Sequence, residues 1–131
     1  MKSPLRTLVV ISSVSAATFS LAALTGCKTN EVGVTNTLGT YAISVDVTPE
    51  KATDASEKAL KQLNLLQVAS SHTAVDGHVT AKTAQNDDVT VNIEQAGDNV
   101  SKVSVRVGGA GDSALSSQII EKIKGNLHWF R

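Results

Sequence analysis

From Tyr41 to Val47 the chain alternates strictly. Tyr41, Ile43, Val45 and Val47 fall on one side of an extended backbone and Ala42, Ser44 and Asp46 on the other, which is the period of a half-buried strand. The period then changes. Thr48-Pro49-Glu50 supplies an N-cap, a proline at the first helical position and an acid in the first turn. Ala52, Ala55, Ala59, Leu63 and Leu66 follow at spacings of 3, 4, 4 and 3, predicting an amphipathic helix that closes near Asn64. Strands are predicted over 66–74 and 78–84, joined at Asp76-Gly77, a two-residue hairpin signal. Val89, Val91 and Ile93 alternate with Thr90, Asn92 and Glu94, the Ala96-Gly97-Asp98-Asn99 cluster turns the chain, and Val103, Val105 and Val107 alternate with Ser104 and Arg106. After Gly108-Gly109-Ala110-Gly111, Asp112 reads as the N-cap of a last helix with Leu115, Ile119, Ile120 and Ile123 as its apolar stripe and Gly125 at its end.

The order is therefore strand, helix, four-strand meander, helix, with every element apolar on one side only. The economical packing is an α+β two-layer sandwich: an antiparallel-rich sheet with both helices on one face and a polar face opposite.

Upstream the pattern differs. Met1 to Arg6 is a short basic segment, and Leu8 to Leu24 is uncharged and apolar, diluted by serines and Thr18, close to the hydrophobic region of a secretory signal peptide. It ends at Leu24-Thr25-Gly26-Cys27, which resembles the bacterial lipobox. The residue types suit the chemistry: the thiol of Cys27 is the nucleophile that takes a diacylglyceryl group as a thioether. Small Thr25 and Gly26 let the backbone lie extended in a peptidase cleft, so that cleavage falls just before Cys27. The expected organisation is a signal peptide over 1–26, a lipidated Cys27 with a polar, Gly-containing tether to residue 39, and one domain over 40–131. Two or more acyl chains give stable anchoring where one is marginal. Lys28 follows the cysteine, where enteric lipoproteins retained in the inner membrane carry Asp; the expected address is the outer membrane, facing the periplasm.

Charge narrows the partners. The chain has 12 basic and 12 acidic residues; loss of Lys2 and Arg6 with the leader leaves 10 basic against 12 acidic. A weakly acidic domain has no electrostatic reason to seek nucleic acid. The single cysteine excludes an internal disulfide. The expectation is a membrane contact through lipid, an envelope protein as partner, and no cofactor beyond the lipid on Cys27.

The C-terminal third carries a resemblance. Val103-Ser104-Val105-Arg106-Val107-Gly108, then Gly111-Asp112, Ser116 or Ser117, Ile120 and Ile123, resembles an uncharacterised family of small bacterial lipoproteins, a domain of unknown function. The resemblance implies the same layout of lipobox, tether, strand, helix, meander and a Gly-Asp-capped helix, and it implies no activity. The chain departs from that family at Gly109-Ala110, where a bulkier residue is usual.

Candidate chemistry is sparse. Arg106 and Asp112 flank the glycines, and two readings stand: a ligand site with Arg106 on a carboxylate and Gly108 to Gly111 as its cradle, or a turn-fixing arginine and a capping aspartate, the reading preferred here. The glycine run lacks the Lys-Ser/Thr of a phosphate loop. Of the three histidines, His72 falls on the packed face of its strand and His78 on the other, which does not make a metal site. No Gly-x-Ser-x-Gly elbow is present, and the paired acids Asp87-Asp88 read as turn residues; the expectation is a non-enzyme. His128-Trp129-Phe130-Arg131 is the one aromatic cluster. Trp129 and Phe130 either pack under the sheet or serve as a docking tail.

Overall fold

The computed structural model describes residues 33–128. Eight elements follow one another: β1 (Thr35–Thr37), β2 (Thr40–Val45), α1 (Pro49–Gln62), β3 (Leu66–His72), β4 (Asp76–Lys82), β5 (Asp88–Gly97), β6 (Val100–Val107) and α2 (Ser113–Leu127). The strands form one antiparallel six-stranded sheet in the order β1-β2-β6-β5-β4-β3. The fold is α+β, as the periodicity predicted.

The alternation of each strand decides the layers. Ile43, Val45, Val79, Ala81, Val89, Val91, Ile93, Val103, Val105 and Val107 are buried on one face, against Ala52, Ala55, Ala59 and Leu60 of α1 and Ile119, Ile120 and Ile123 of α2. On the other face the register aligns rows of polar residues across neighbouring strands. Thr40, Arg106, Thr90 and Thr80 form one row, Ser104, Asn92, His78 and Ser71 a second, and Ser44, Lys102, Glu94 and Asp76 a third. No described element covers this face.

Helix α1 begins at Thr48 with Pro49 in the first turn, although the Thr48 side chain makes no capping bond. It ends as the sequence indicated: Asn64 takes a left-handed φ of 57°, and Leu65 N and Asn64 N bond back to Leu60 O and Lys61 O, the Schellman arrangement. The stripe differs at its last position. Leu66 lies in β3 and is exposed, whereas Leu60 is fully buried, because the helix stops four residues short of Leu66 and Leu60 completes the face set by Ala52, Ala55 and Ala59.

Three further expectations are corrected. Thr35–Thr37, read as tether, form a strand paired with β2. Asp76-Gly77 is not the turn between β3 and β4: Gly77 is buried inside β4 and pairs with His72. The reversal occurs at Thr73–Val75, where Thr73 Oγ1 accepts from Val75 N and Asp76 N and donates to Asp76 Oδ1, a local hydroxyl turn. Glycine is needed at 77 for packing, since a Cβ there would lie 1.9 Å from Thr53 Oγ1 on α1. Finally, Gly125 does not end α2, which continues to Leu127; Asn126 is held in the helix by a bond from its Nδ2 to Ala55 O of α1 at 3.2 Å, and Leu127 packs on the core.

Candidate functional site

Residues 106–112 form a corner where β6 ends, α2 begins and the β1–β2 turn arrives. That turn is Leu38-Gly39, with φ of 51° and 79°, the positive values that a two-residue type I′ hairpin turn demands at both positions. Its backbone lies directly on the glycine loop. A Cβ on Gly111, itself at φ +81°, would come within 2.4 Å of Gly39 O, and a Cβ on Gly39 within 2.6 Å of Ala110 O. Neither position has room for a side chain, so the two loops touch backbone to backbone.

Arg106 fastens this contact. Its Nη1 donates to Leu38 O at 3.0 Å and to Thr40 Oγ1 at 3.3 Å, and its Nη2 to Gly109 O at 2.5 Å. A planar fork with several donors in fixed directions fits three acceptors from two loops in a way that an ammonium does not. Asp112 acts separately: its Oδ1 accepts from Leu115 N at 2.9 Å, satisfying one open donor of the first turn of α2, while its own N bonds to Val107 O. Arg106 and Asp112, which flank the glycine loop, therefore work on different partners, as the turn-fixing and capping reading expects.

An open depression of about 320 Å³ lies beside the loop, and another of about 370 Å³ lies at the opposite end of the strands, by the Thr73–Val75 turn. The smaller is lined by Arg106, Gly108, Gly109, Asp87 and Asp88. Two carboxylates at its wall oppose a bound anion there, and Asp88 is already engaged with Lys82 at 2.8 Å. The larger contains the row Ser71, His78 and Asn92. His78 Nδ1 and Asn92 Oδ1 share a hydrogen bond of 2.7 Å, at the ring nitrogen that an aspartate orients in a hydrolytic serine site. Ser71 Oγ makes no bond to His78, however, and the backbone of β4 is paired on both sides along its length, which leaves no N–H pair there to hold an oxyanion.

His72 is on the helix-packed face with Gly77 and Val79, at the sheet margin, 4.0 Å from Glu50. His78 is exposed on the other face. The faces are those the sequence indicated, reached through a different register. Among the described residues no group of His, Cys, Asp or Glu is placed to hold a metal ion, and no helix is long and apolar enough to cross a membrane. His128 is the exposed C-cap of α2. Leu24, Thr25, Gly26 and Cys27, and also Trp129 and Phe130, lie outside the described residues.

A family model described as "Protein of unknown function (DUF3568)" matches residues 4–126. The chain belongs to the DUF3568 family. The match spans both the Leu24 to Cys27 segment and the whole of the Arg106 to Asp112 corner, and the family description assigns no role to either. A comparison with curated proteins gives no match. In this DUF3568 domain the feature that sequence reasoning missed is the partner of Arg106. The signal was Leu38-Gly39, a plausible two-residue turn obscured by its placement in a polar stretch and by leucine at a position that usually takes Asn or Gly.

Proposed function

We propose that this protein is an exported lipoprotein, anchored by lipid on Cys27 and held at the outer membrane on its periplasmic side, where its domain acts as a non-enzymatic interaction module for another envelope protein. The observation that carries the reading is Leu24-Thr25-Gly26-Cys27 at the end of an uncharged apolar run with a basic start. The uncovered face of the sheet supports the second half of it. That face presents hydroxyl, amide, imidazole and charged groups in aligned rows, a surface suited to a polar partner. Arg106, the most obvious ligand-binding group by sequence, has its guanidinium engaged with backbone and threonine oxygens of its own chain.

Mass spectrometry of the native protein tests the anchor: the expected product starts at Cys27 and carries a thioether-linked diacylglyceryl group, and an intact Met1 or a bare thiol refutes it. Crosslinking in intact cells through residues introduced at Asn92 and Ser104 tests the module. Capture of one envelope protein is expected, and no captured protein counts against that role. The alternative, a small-ligand or cell-wall-fragment site at Arg106 and Gly108 to Asp112, has the 320 Å³ depression in its favour. It fails if Arg106→Ala leaves ligand binding unchanged.

A further inference from the structure

Leu38 is an unusual residue for its place. It is 89% exposed at the tip of the β1–β2 hairpin, and its φ of 51° is one that a branched aliphatic side chain disfavours. Neither burial nor backbone preference explains leucine there. The Arg106 bond to Leu38 O and the backbone contact of Gly39 with Gly111 nevertheless hold the turn in place, so the side chain is presented from a braced corner. Val34, just before β1, is also exposed, at 44%.

The hairpin itself carries no charge, although the Arg106 guanidinium that braces it lies alongside. From Val32 to Val45 the sequence contains no charged residue, the run being bounded by Glu31 and Asp46. Burying this hairpin tip in an interface would therefore strip no charge on the hairpin of its water. Among the described residues the other exposed large apolar ones, Leu66 and Val75, belong to the β3 side, at the far end of the six-strand order. With neighbouring strands about 4.8 Å apart, that side is roughly 24 Å away.

The length of chain between anchor and hairpin limits how far this edge can stand from the bilayer. Seven peptide units separate Cys27 from Val34, and a fully extended chain spans at most about 3.6 Å per residue, hence about 25 Å. A lipid on Cys27 confines the β1 side of the sheet near the bilayer and allows the β3 side to be distant. We propose that Leu38, with Val34 behind it, docks in the headgroup–acyl boundary of the membrane that holds the Cys27 lipid, so that the sheet stands on its β1–β2 edge and its polar face is turned sideways to the periplasm. This rests on the lipid-anchor reading. It adds an orientation, which an anchor alone does not impose.

The test uses the native lipidated chain in phosphatidylcholine vesicles whose acyl chains are brominated. Leu38→Trp and Leu66→Trp are compared, with the signal of Trp129 subtracted by means of the unsubstituted protein. Blue-shifted, bromine-quenched emission at 38 with unshifted, unquenched emission at 66 is expected. Absence of quenching at 38 on a protein that floats with the vesicles overturns the docking and leaves the anchor standing. Equal quenching at both positions overturns the orientation. A protein that does not float overturns the anchor reading itself, and the docking with it. Leu38→Asn separates membrane contact from folding. Asn adopts the left-handed turn more readily, so Tm should rise by a few degrees, while the vesicle-dependent hydrogen-exchange protection of residues 35–40 should disappear. Protection retained in full by Leu38→Asn contradicts the proposal.

Discussion

Replacing Gly77 with alanine puts the helix–sheet contact to a direct test. Gly77 sits in β4 opposite α1, and the added Cβ would lie 1.9 Å from Thr53 Oγ1 and 3.2 Å from Thr53 Cβ. Thr53 is 1% exposed, and its hydroxyl donates to Pro49 O at 2.7 Å. Two movements relieve the overlap. Turning the Thr53 side chain breaks that bond, worth about 1 kcal/mol, and leaves the tight contact between the two Cβ atoms. Lifting α1 loosens the seat of Ala52, Ala55, Ala59 and Leu60, an overpacking cost of about 1–3 kcal/mol. The φ of Gly77 is outside the left-handed region, so alanine adopts the backbone and recovers about 0.5–1 kcal/mol by restricting the unfolded chain.

The expected net loss for Gly77→Ala is about 1–2 kcal/mol, a fall in Tm of roughly 4–16 °C for a domain of this size. Urea unfolding followed by far-UV circular dichroism measures it. The decisive comparison repeats the substitution in a Thr53→Ala background, where the obstructing hydroxyl is gone. Most of the cost should vanish there, giving a coupling of about 1 kcal/mol or more between the two positions. An undiminished cost in that background would refute the packing account and return Gly77 to the role of a turn glycine.

Arg106→Ala should destabilise the domain by about 1–2 kcal/mol in urea unfolding, since three partly exposed bonds of about 0.5 kcal/mol or more are lost, and it should speed amide exchange in Thr35–Thr40; Arg106→Lys should restore little, because the fork is lost. Gly125→Ala should stabilise the domain by about 0.5–1 kcal/mol, since position 125 is inside α2 and a Cβ there meets nothing within 4 Å; an unchanged or lower midpoint would show that the helix does not run through it. Hydrogen bonds from Lys61 and then Ser70 hold the Glu57 carboxyl below its ordinary 4.5. The folded state thus favours the ionised form, so its contribution is present above pH 4.5 and lost as pH falls through the lower folded value. Glu57→Gln should therefore be less stable than the unsubstituted protein at pH 6–7, with the gap closing in acid, as denaturant midpoints across that range will show.

What could be read in advance was local. The strict alternations of β2, β5 and β6, the Thr48-Pro49 start of α1, the Asn64 stop and the Asp112 cap are each set by residues within a few positions of one another, and each is found. What escaped was decided by distant parts of the chain. β1 is three polar residues whose strand conformation comes from pairing with β2 and from the brace at Arg106. Asp76-Gly77 has the composition of a turn, yet α1 crosses β4 so closely that position 77 must lack a side chain, and Thr73 supplies the turn instead. Gly125 resembles a stop signal, but Asn126 bonded to Ala55 O carries α2 past it. Arg106 was visible as a residue and its acceptors were not, because Leu38 lies 68 positions away.

The physical role of the Arg106 to Asp112 segment bears on where a function is to be sought. Its features have structural uses within the chain: the guanidinium joins two loops, Gly111 admits Gly39, and the Asp112 carboxylate caps α2. A motif so occupied can recur in a family because the corner needs it, whatever the family does. The open sheet face is different in kind. His78 and Asn92 bond to each other across β4 and β5, on the face opposite the core, and the fold would keep its layers with other small polar residues in those rows. Side chains that the fold does not require are the ones a partner can select, and the edge bearing Leu38 stands next to that face. An anchored domain resting on that edge would hold its polar rows upright from the membrane, within reach of a neighbour in the same envelope.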